Sequence, residues 1–74
     1  MALNTDKIDS VALALLYLTL HDGSYAWKNL DWDALDRLHD KGMIDNPASK
    51  RKSVAFTEEG LQRAKALFEE MFEQ

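Results

Sequence analysis

The strongest constraint on the fold is an uncharged stretch that runs from Ser10 to Leu20. A helix over about residues 6–20, which turns about 100° per residue, has apolar side chains on two sides. One side carries Ile8, Val11, Leu15 and Leu18. The other side carries Leu13, Leu16, Tyr17 and Leu20. A surface helix of a small domain needs only one apolar face, so the second must contact another element or another molecule.

The chain is short and contains no cysteine. Its 74 residues predict a single domain over 1–74, because there is no room for two cores. A domain of this size is marginally stable by itself, and without cysteine it has neither disulfides nor the ligands of most structural zinc sites. We therefore expect a partner chain to supply the additional stability, either in a homodimer or in a complex with another protein.

The charge and the N-terminus limit the class of partner. Thirteen acidic residues against nine basic ones give a net charge of -4, which repels a phosphate backbone unless the cations gather on one face. The N-terminal segment lacks the basic region of a secretion signal, and the apolar run 11–20 is about half as long as a membrane span. We expect a cytoplasmic protein that does not contact a membrane.

A second helix follows a turn at residues 22–23. Asp31 is its expected N-cap, since a carboxylate accepts the free N–H groups of a first turn. Gly42 is its expected end, in a Schellman turn that packs Met43 back over Leu38. The stretch between the two helices is too short for another full helix and leaves at most one helical turn, around residues 25–28.

Two short strand patterns and a third helix complete the chain. We expect residues 43–45 to pair antiparallel with residues 53–57 around a polar, basic turn. Thr57 then caps a helix with one apolar stripe, formed by Leu61, Ala64, Phe68, Met71 and Phe72. The predicted fold class is mainly α with a small β-hairpin, in the winged-helix order of helix, loop, helix, hairpin wing and helix.

Two stretches carry a family resemblance. "LDRLHDKGMID" and "AFTEEGLQRAKALF" resemble MarR-like and PadR-like winged-helix proteins, in which a recognition helix ends at Gly-Leu-Ile and a wing leads into Leu-Thr-x-x-Gly. Over nearly the whole chain, "LALLYLTLHDGSYAWKNLDWDALDRLHDKGMID" is similar to a family of small bacterial proteins characterised only as a domain of unknown function. The first resemblance implies a winged helix with a reduced helix-turn-helix, and the second implies no catalytic or binding residue.

The second helix departs from the DNA-binding pattern. Base reading uses Arg, Lys, Asn or Gln, whereas this helix offers Asp33, Asp36 and Asp40 against Arg37 and Lys41. The remaining possible nucleic-acid contacts are the wing residues Lys50, Arg51 and Lys52. A solvent-exposed turn that binds nothing explains the same three residues equally well. A non-enzymatic protein–protein interaction module is therefore the leading interpretation, and a DNA-binding transcriptional regulator that uses the wing is the alternative.

Two histidine–aspartate neighbours, at 21–22 and 39–40, are the candidates for catalysis or metal binding. A working site needs further ligands that converge in a cleft, and a chain this small has little volume for one. We expect no enzyme activity, no metal and no cofactor.

Two sets of side chains are candidates for binding surfaces. Tyr25, Trp27 and Trp32 crowd between the first two helices, where we expect them to fill the space of the missing helix, although they could instead form a partner-binding surface. Self-association is expected through Leu13, Leu16, Tyr17 and Leu20, extended by Phe68 and Phe72 of the third helix.

Overall fold

Three helices and two short strands make up the fold. A computed structural model describes residues 3–28, 30–48 and 50–73. The element order is α1 (Thr5–Leu18), β1 (Tyr25–Trp27), α2 (Trp32–Asp40), β2 (Ser53–Ala55) and α3 (Glu58–Phe72). This mainly helical arrangement with a small antiparallel sheet is winged-helix-like and confirms the predicted fold class. Within the described ranges, no helix is both long and apolar enough to cross a membrane.

The ends of α2 and the start of α3 follow local signals. Asp31 accepts a hydrogen bond from the N–H of Ala34 at 3.1 Å, as the predicted N-cap of α2. At the other end, the N–H of Gly42 donates to the carbonyl of His39, and the N–H of Met43 donates to that of Leu38, both at 3.0 Å. Gly42 has φ 77, a conformation that glycine adopts without steric cost. The predicted Schellman turn is thereby confirmed.

The segment after α2 is joined to the start of α3. The hydroxyl of Thr57 accepts the N–H of Gly60 at 2.9 Å and donates to the carbonyl of Gly42 at 2.6 Å. A Cβ atom at position 60 would overlap the carbonyl group of Met43, so only glycine permits this approach. These contacts confirm Thr57 as the cap and fix the direction in which α3 leaves the sheet.

The segment that contains β2 has neighbours on both sides. β1 pairs with β2 antiparallel, with Tyr25 opposite Ala55. On the other side Ile44 forms an antiparallel bridge with Phe56, and the N–H of Asp45 donates to the carbonyl of Ala55 at 2.9 Å. The predicted pairing of the two segments that flank the wing is therefore confirmed at this bridge.

The stretch after α1 is a strand, whereas the sequence left room there for at most one helical turn at residues 25–28. A single helical turn leaves its backbone groups without partners, whereas this stretch bonds to β2 along its length. The N–H of Lys28 donates to the carbonyl of Lys52 at 3.1 Å, and Ser24 accepts from the N–H of Phe56 at 2.7 Å. The strand thus lies where a helix-turn-helix has its positioning helix, which the sequence predicted to be missing or reduced.

The core lies between α1, the other two helices and the inner face of the sheet. Leu13 and Leu16 of α1 are buried there with Leu35 and Leu38 of α2. Both α1 residues are at most 2% exposed, so the expectation that they form a self-association surface is corrected. The side of α1 that faces water carries the other apolar stripe, in which Leu18 is 65% exposed.

A buried carboxylate ties α1 to α2. Asp9 is 2% exposed, and both of its carboxylate oxygens lie 2.9 Å from Nε of Arg37. Nζ of Lys41 lies 3.0 Å from Asp9 and 3.3 Å from Asp6. The hydrogen bond from Arg37, with help from Lys41, holds the pKa of Asp9 below its ordinary value despite the burial. The hydrogen bond to Asp9 in turn raises the pKa of Arg37 and of Lys41.

Replacing Asp9→Asn should lower the free energy of unfolding by about 2 to 3 kcal/mol, because buried charge-assisted hydrogen bonds are lost. Urea denaturation monitored by circular dichroism measures this change. Asp6→Asn is the matched control, since the Asp6 side chain is 91% exposed and shares the Lys41 partner. It should cost less than about 0.5 kcal/mol. Equal losses for the two variants would show that Asp9 does not hold the helices together.

The contribution of Asp9 should also depend on pH. Because its folded-state pKa is depressed, the stabilisation is complete above the unfolded-state pKa of about 3.9 and is lost as the pH falls through the lower folded-state value. The difference in unfolding free energy between the native chain and Asp9→Asn should stay constant above about pH 5 and shrink below about pH 4. A difference that grows on acidification would contradict the ion-pair assignment.

Candidate interaction surface

The outward side of α2 presents carboxylates. Asp33, Asp36 and Asp40 are exposed. The two cations of the helix, Arg37 and Lys41, are bonded to Asp9 of α1. A recognition helix contacts bases and phosphates with such cations, and here they would first have to leave a buried carboxylate. The helix that occupies the recognition position is therefore unsuited to a phosphate backbone.

The wing cations Lys50, Arg51 and Lys52 are all exposed on the turn between α2 and β2. Nη2 of Arg51 lies 3.0 Å from Oδ2 of Asp45, so one of the three positive charges is already paired. In the described part of the chain, neither wing lysine forms an ion pair. Two unpaired surface charges provide weak, salt-sensitive attachment to nucleic acid.

Four side chains form a continuous row on the outer face of the sheet, which we call the aromatic row: Trp27, His21, Tyr25 and Arg51. The rings of Trp27 and His21 are stacked, with centroids 4.2 Å apart and planes inclined by 22°. The His21 and Tyr25 centroids are 6.4 Å apart, and the Arg51 guanidinium lies 5.8 Å from the Tyr25 ring centre. Successive side chains of a strand point to opposite faces, so Ala26 enters the core while its two neighbours face outward.

Hydrogen bonds hold the aromatic row in place. His21 and Tyr25 exchange backbone hydrogen bonds at 2.8 and 3.0 Å. Nδ1 of His21 lies 2.8 Å from the carbonyl of Thr19. The Thr19 hydroxyl accepts the N–H of Trp27 and donates to the carbonyl of Leu16, both at 3.1 Å. A surface held in this way loses little conformational entropy on binding.

Both tryptophans are exposed, so their predicted role as core filler was wrong. Trp27 is 48% exposed and Trp32 is 57% exposed. The small Ala26 points inward where a ring was expected, because a strand lies here instead of a helix. Aromatic, small, aromatic is the alternation of a half-buried strand, but over three residues it does not distinguish a strand from a turn. Trp32 is the first residue of α2. The ammonium group of Lys28 lies over its ring, 5.8 Å from the ring centre.

The histidines are engaged locally. Nδ1 of His39 lies 3.1 Å from the carbonyl of Ile44, and Nδ1 of His21 similarly contacts the carbonyl of Thr19. Among residues 3–28, 30–48 and 50–73, no group of three or more His, Cys, Asp or Glu side chains could hold a metal ion. A groove of about 420 Å³ between α1 and α3 is bordered by Asp6, Lys41, Glu59 and Arg63, and neither histidine lines it. The structure thus places the two catalytic candidates outside this groove.

The fold is that of a small winged-helix-like domain with an exposed row of aromatic side chains on its sheet. The chain belongs to the family described as Domain of unknown function (DUF6429), which matches residues 4–74. It is also 50% identical over 72 residues to "Uncharacterized protein y4hR" of Sinorhizobium fredii (strain NBRC 101917 / NGR234), with 97% of each chain covered. No solved structure gives a significant match. The predicted resemblance to a family of this description is thereby confirmed.

Binding to random duplex DNA should be weaker than the usual nonspecific range of about 10⁻⁴ to 10⁻⁶ M at about 150 mM salt, because α2 is acidic and its cations are engaged. Fluorescence anisotropy with a labelled duplex measures this affinity. The triple replacement of Lys50, Arg51 and Lys52 by alanine is the control and should change little. Sub-micromolar binding that the triple replacement abolishes would contradict the prediction and favour a regulator that uses the wing.

Proposed function

We propose that the protein is a non-enzymatic interaction module that binds a partner protein through the aromatic row. The observation that supports this most is Trp27, which is 48% exposed yet stacked on His21 in a hydrogen-bonded framework. An exposed tryptophan adds little to the core. Tryptophan, tyrosine and arginine are the residue types that dominate the binding energy of protein interfaces, and the row contains one of each.

The surroundings of the row define the chemistry of the partner. The Trp27–His21 stack offers a flat face for an aromatic or aliphatic side chain. The wing lysines Lys50 and Lys52 border the Arg51 end and are exposed, so an acidic group of the partner is favoured there. The expected partner segment combines an apolar side chain with a neighbouring carboxylate.

A DNA-binding regulator that uses the wing is the second candidate function. The observation in its favour is the same pair of exposed lysines next to an aromatic surface. The acidic α2 side acts against it, because exposed carboxylates on the helix in the recognition position repel phosphates. The protein-binding function is therefore preferred, and the two make different predictions about what contacts Trp27.

Photo-crosslinking in the native cell tests the proposal. A photoreactive phenylalanine analogue at position 27 should form covalent adducts with another protein, because this position is the centre of the proposed contact. The same analogue at Gln62, an exposed position of α3, is the matched control and should form few adducts. Mass spectrometry of the purified adducts identifies the crosslinked molecule.

A second substitution separates specific contact from chance collision. Tyr25→Ala, combined with the analogue at position 27, should reduce the adduct yield at least about fivefold, since interface anchors contribute more than about 1 kcal/mol. Circular dichroism confirms that the variant is folded. Equal yields from positions 27 and 62, or adducts that nuclease digestion removes, would contradict the proposal, and the latter result would favour the regulator.

A further inference from the structure

The water-facing side of α1 is an apolar stripe without a charged side chain. Its members, which we call the α1 stripe, are Ile8, Val11, Leu15 and Leu18. Ile8 and Leu15 are each 37% exposed and Leu18 is 65% exposed. Between Ile8 and Leu18 the only charged residue is Asp9, which is buried on the opposite side. The α1 helix therefore presents about 15 Å of uncharged surface to water, in a chain in which 30% of all residues are charged.

The spacing of the stripe suits another helix. Its members are separated by three, four and three residues, which is the seam spacing of two helices packed side by side. The same surface would fit a sheet or a groove less closely, because the exposed side chains form a single narrow row. The expected occupant of the stripe is a helix with a matching row.

We propose that the occupant is the α1 helix of a second copy, packed antiparallel about a two-fold axis. In this arrangement Ile8 of one copy contacts Leu18 of the other, and Val11 contacts Leu15. The pairing is isologous, so every stripe residue finds an apolar neighbour and none is left over. This inference does not rest on the aromatic row, which shares no residue with the α1 stripe.

Charge complementarity favours a second copy in the antiparallel orientation. The last turn of α1 contains no basic residue, so its negative dipole end has no cation of its own. Antiparallel pairing places Lys7 of one copy beside Thr19, the C-cap of the other copy's α1. Lys7 is exposed and, within the residues that the structure describes, forms no ion pair. Two chains of net charge -4 can also approach on this face, because it holds no like charges.

The end of α3 offers further apolar surface next to the C-terminal end of α1. A stable interface covers about 800 Å² per partner, which is roughly one-sixth of the 5079 Å² surface of this chain. Phe72 is 47% exposed, and its ring lies 5.5 Å from that of Phe68, which in turn lies 5.3 Å from Tyr17 of α1. With the half-buried Leu20 at the end of α1, these side chains extend the apolar surface beyond Leu18.

Sedimentation equilibrium over a concentration series tests the proposal on the full chain. The native protein should sediment as a dimer of the 8.5 kDa chain. Leu18→Glu changes an exposed side chain and should raise the dimer dissociation constant at least about 100-fold, since the introduced charge is buried twice in a symmetric contact. Gln62→Glu introduces the same charge on an exposed position of α3 and should leave the dimer intact.

A mixing experiment tests the orientation. Ile8→Lys should also produce monomers, and circular dichroism shows whether each variant remains folded. In the antiparallel dimer the introduced carboxylate of one variant meets the introduced ammonium group of the other, so an equimolar mixture of Leu18→Glu and Ile8→Lys should dimerise. A parallel dimer would keep these groups far apart.

Three results would overturn the proposal. The first is a native protein that remains a single 8.5 kDa species at about 1 mM, where even weak dimers are half formed. The second is a Leu18→Glu variant that dimerises as well as the native chain, which would place the contact elsewhere. The third is a folded mixture of the two variants that stays monomeric, which would exclude the antiparallel register.

Discussion

The buried carboxylate of Asp9 is the interaction on which the rest of the structure depends. It lies 2.9 Å from Nε of Arg37 and 3.0 Å from Nζ of Lys41, and so joins the first helix to the second. A charge at this depth is stable only with such partners, because isolated burial would cost several kcal/mol. The position of α2 on α1 is therefore set by electrostatics as well as by the leucine core.

The same ion pairs affect which surfaces are available for contacts with other molecules. They engage the two cations of the helix that stands in the recognition position, and they leave its exposed carboxylates Asp33, Asp36 and Asp40. Two uncharged or positively bordered surfaces remain, the aromatic row on the sheet and the α1 stripe. The exposed uncharged surfaces of this winged-helix-like scaffold are better suited to contacts with proteins than its acidic helix is to contacts with phosphates.

The sequence predicted the features that depend on near neighbours. Asp31, Gly42 and Thr57 mark helix ends through bonds that reach only a few residues, so their types and spacing were sufficient. The strand at residues 25–27 was missed because its partner, β2, lies across an intervening helix. Three residues are too few for periodicity to distinguish a strand from a turn.

Local sequence also could not show which of the two apolar sides of α1 is buried. A helical wheel shows both stripes, and hydrophobicity does not rank them. The decision comes from Asp9, which lies on the same side as Leu13 and Leu16 and bonds to Arg37, 28 residues away. That side must face α2, and the stripe of Leu15 and Leu18 is left to water. The sequence therefore led to a prediction of self-association through the side of α1 that the structure buries at Leu13 and Leu16.

The most direct test of the central claim is the NMR signal of the Arg37 side chain in the native protein. Because its Nε–H donates to a buried carboxylate, this resonance should be resolved at neutral pH and should exchange with water at least about tenfold more slowly than that of an exposed arginine. It should also stay at the same chemical shift when duplex DNA is added. The account is contradicted if the Nε–H signal exchanges at the rate of a free arginine, or if its chemical shift changes when DNA is added. Either result would show that Asp9 does not keep the Arg37 side chain from contacting phosphates.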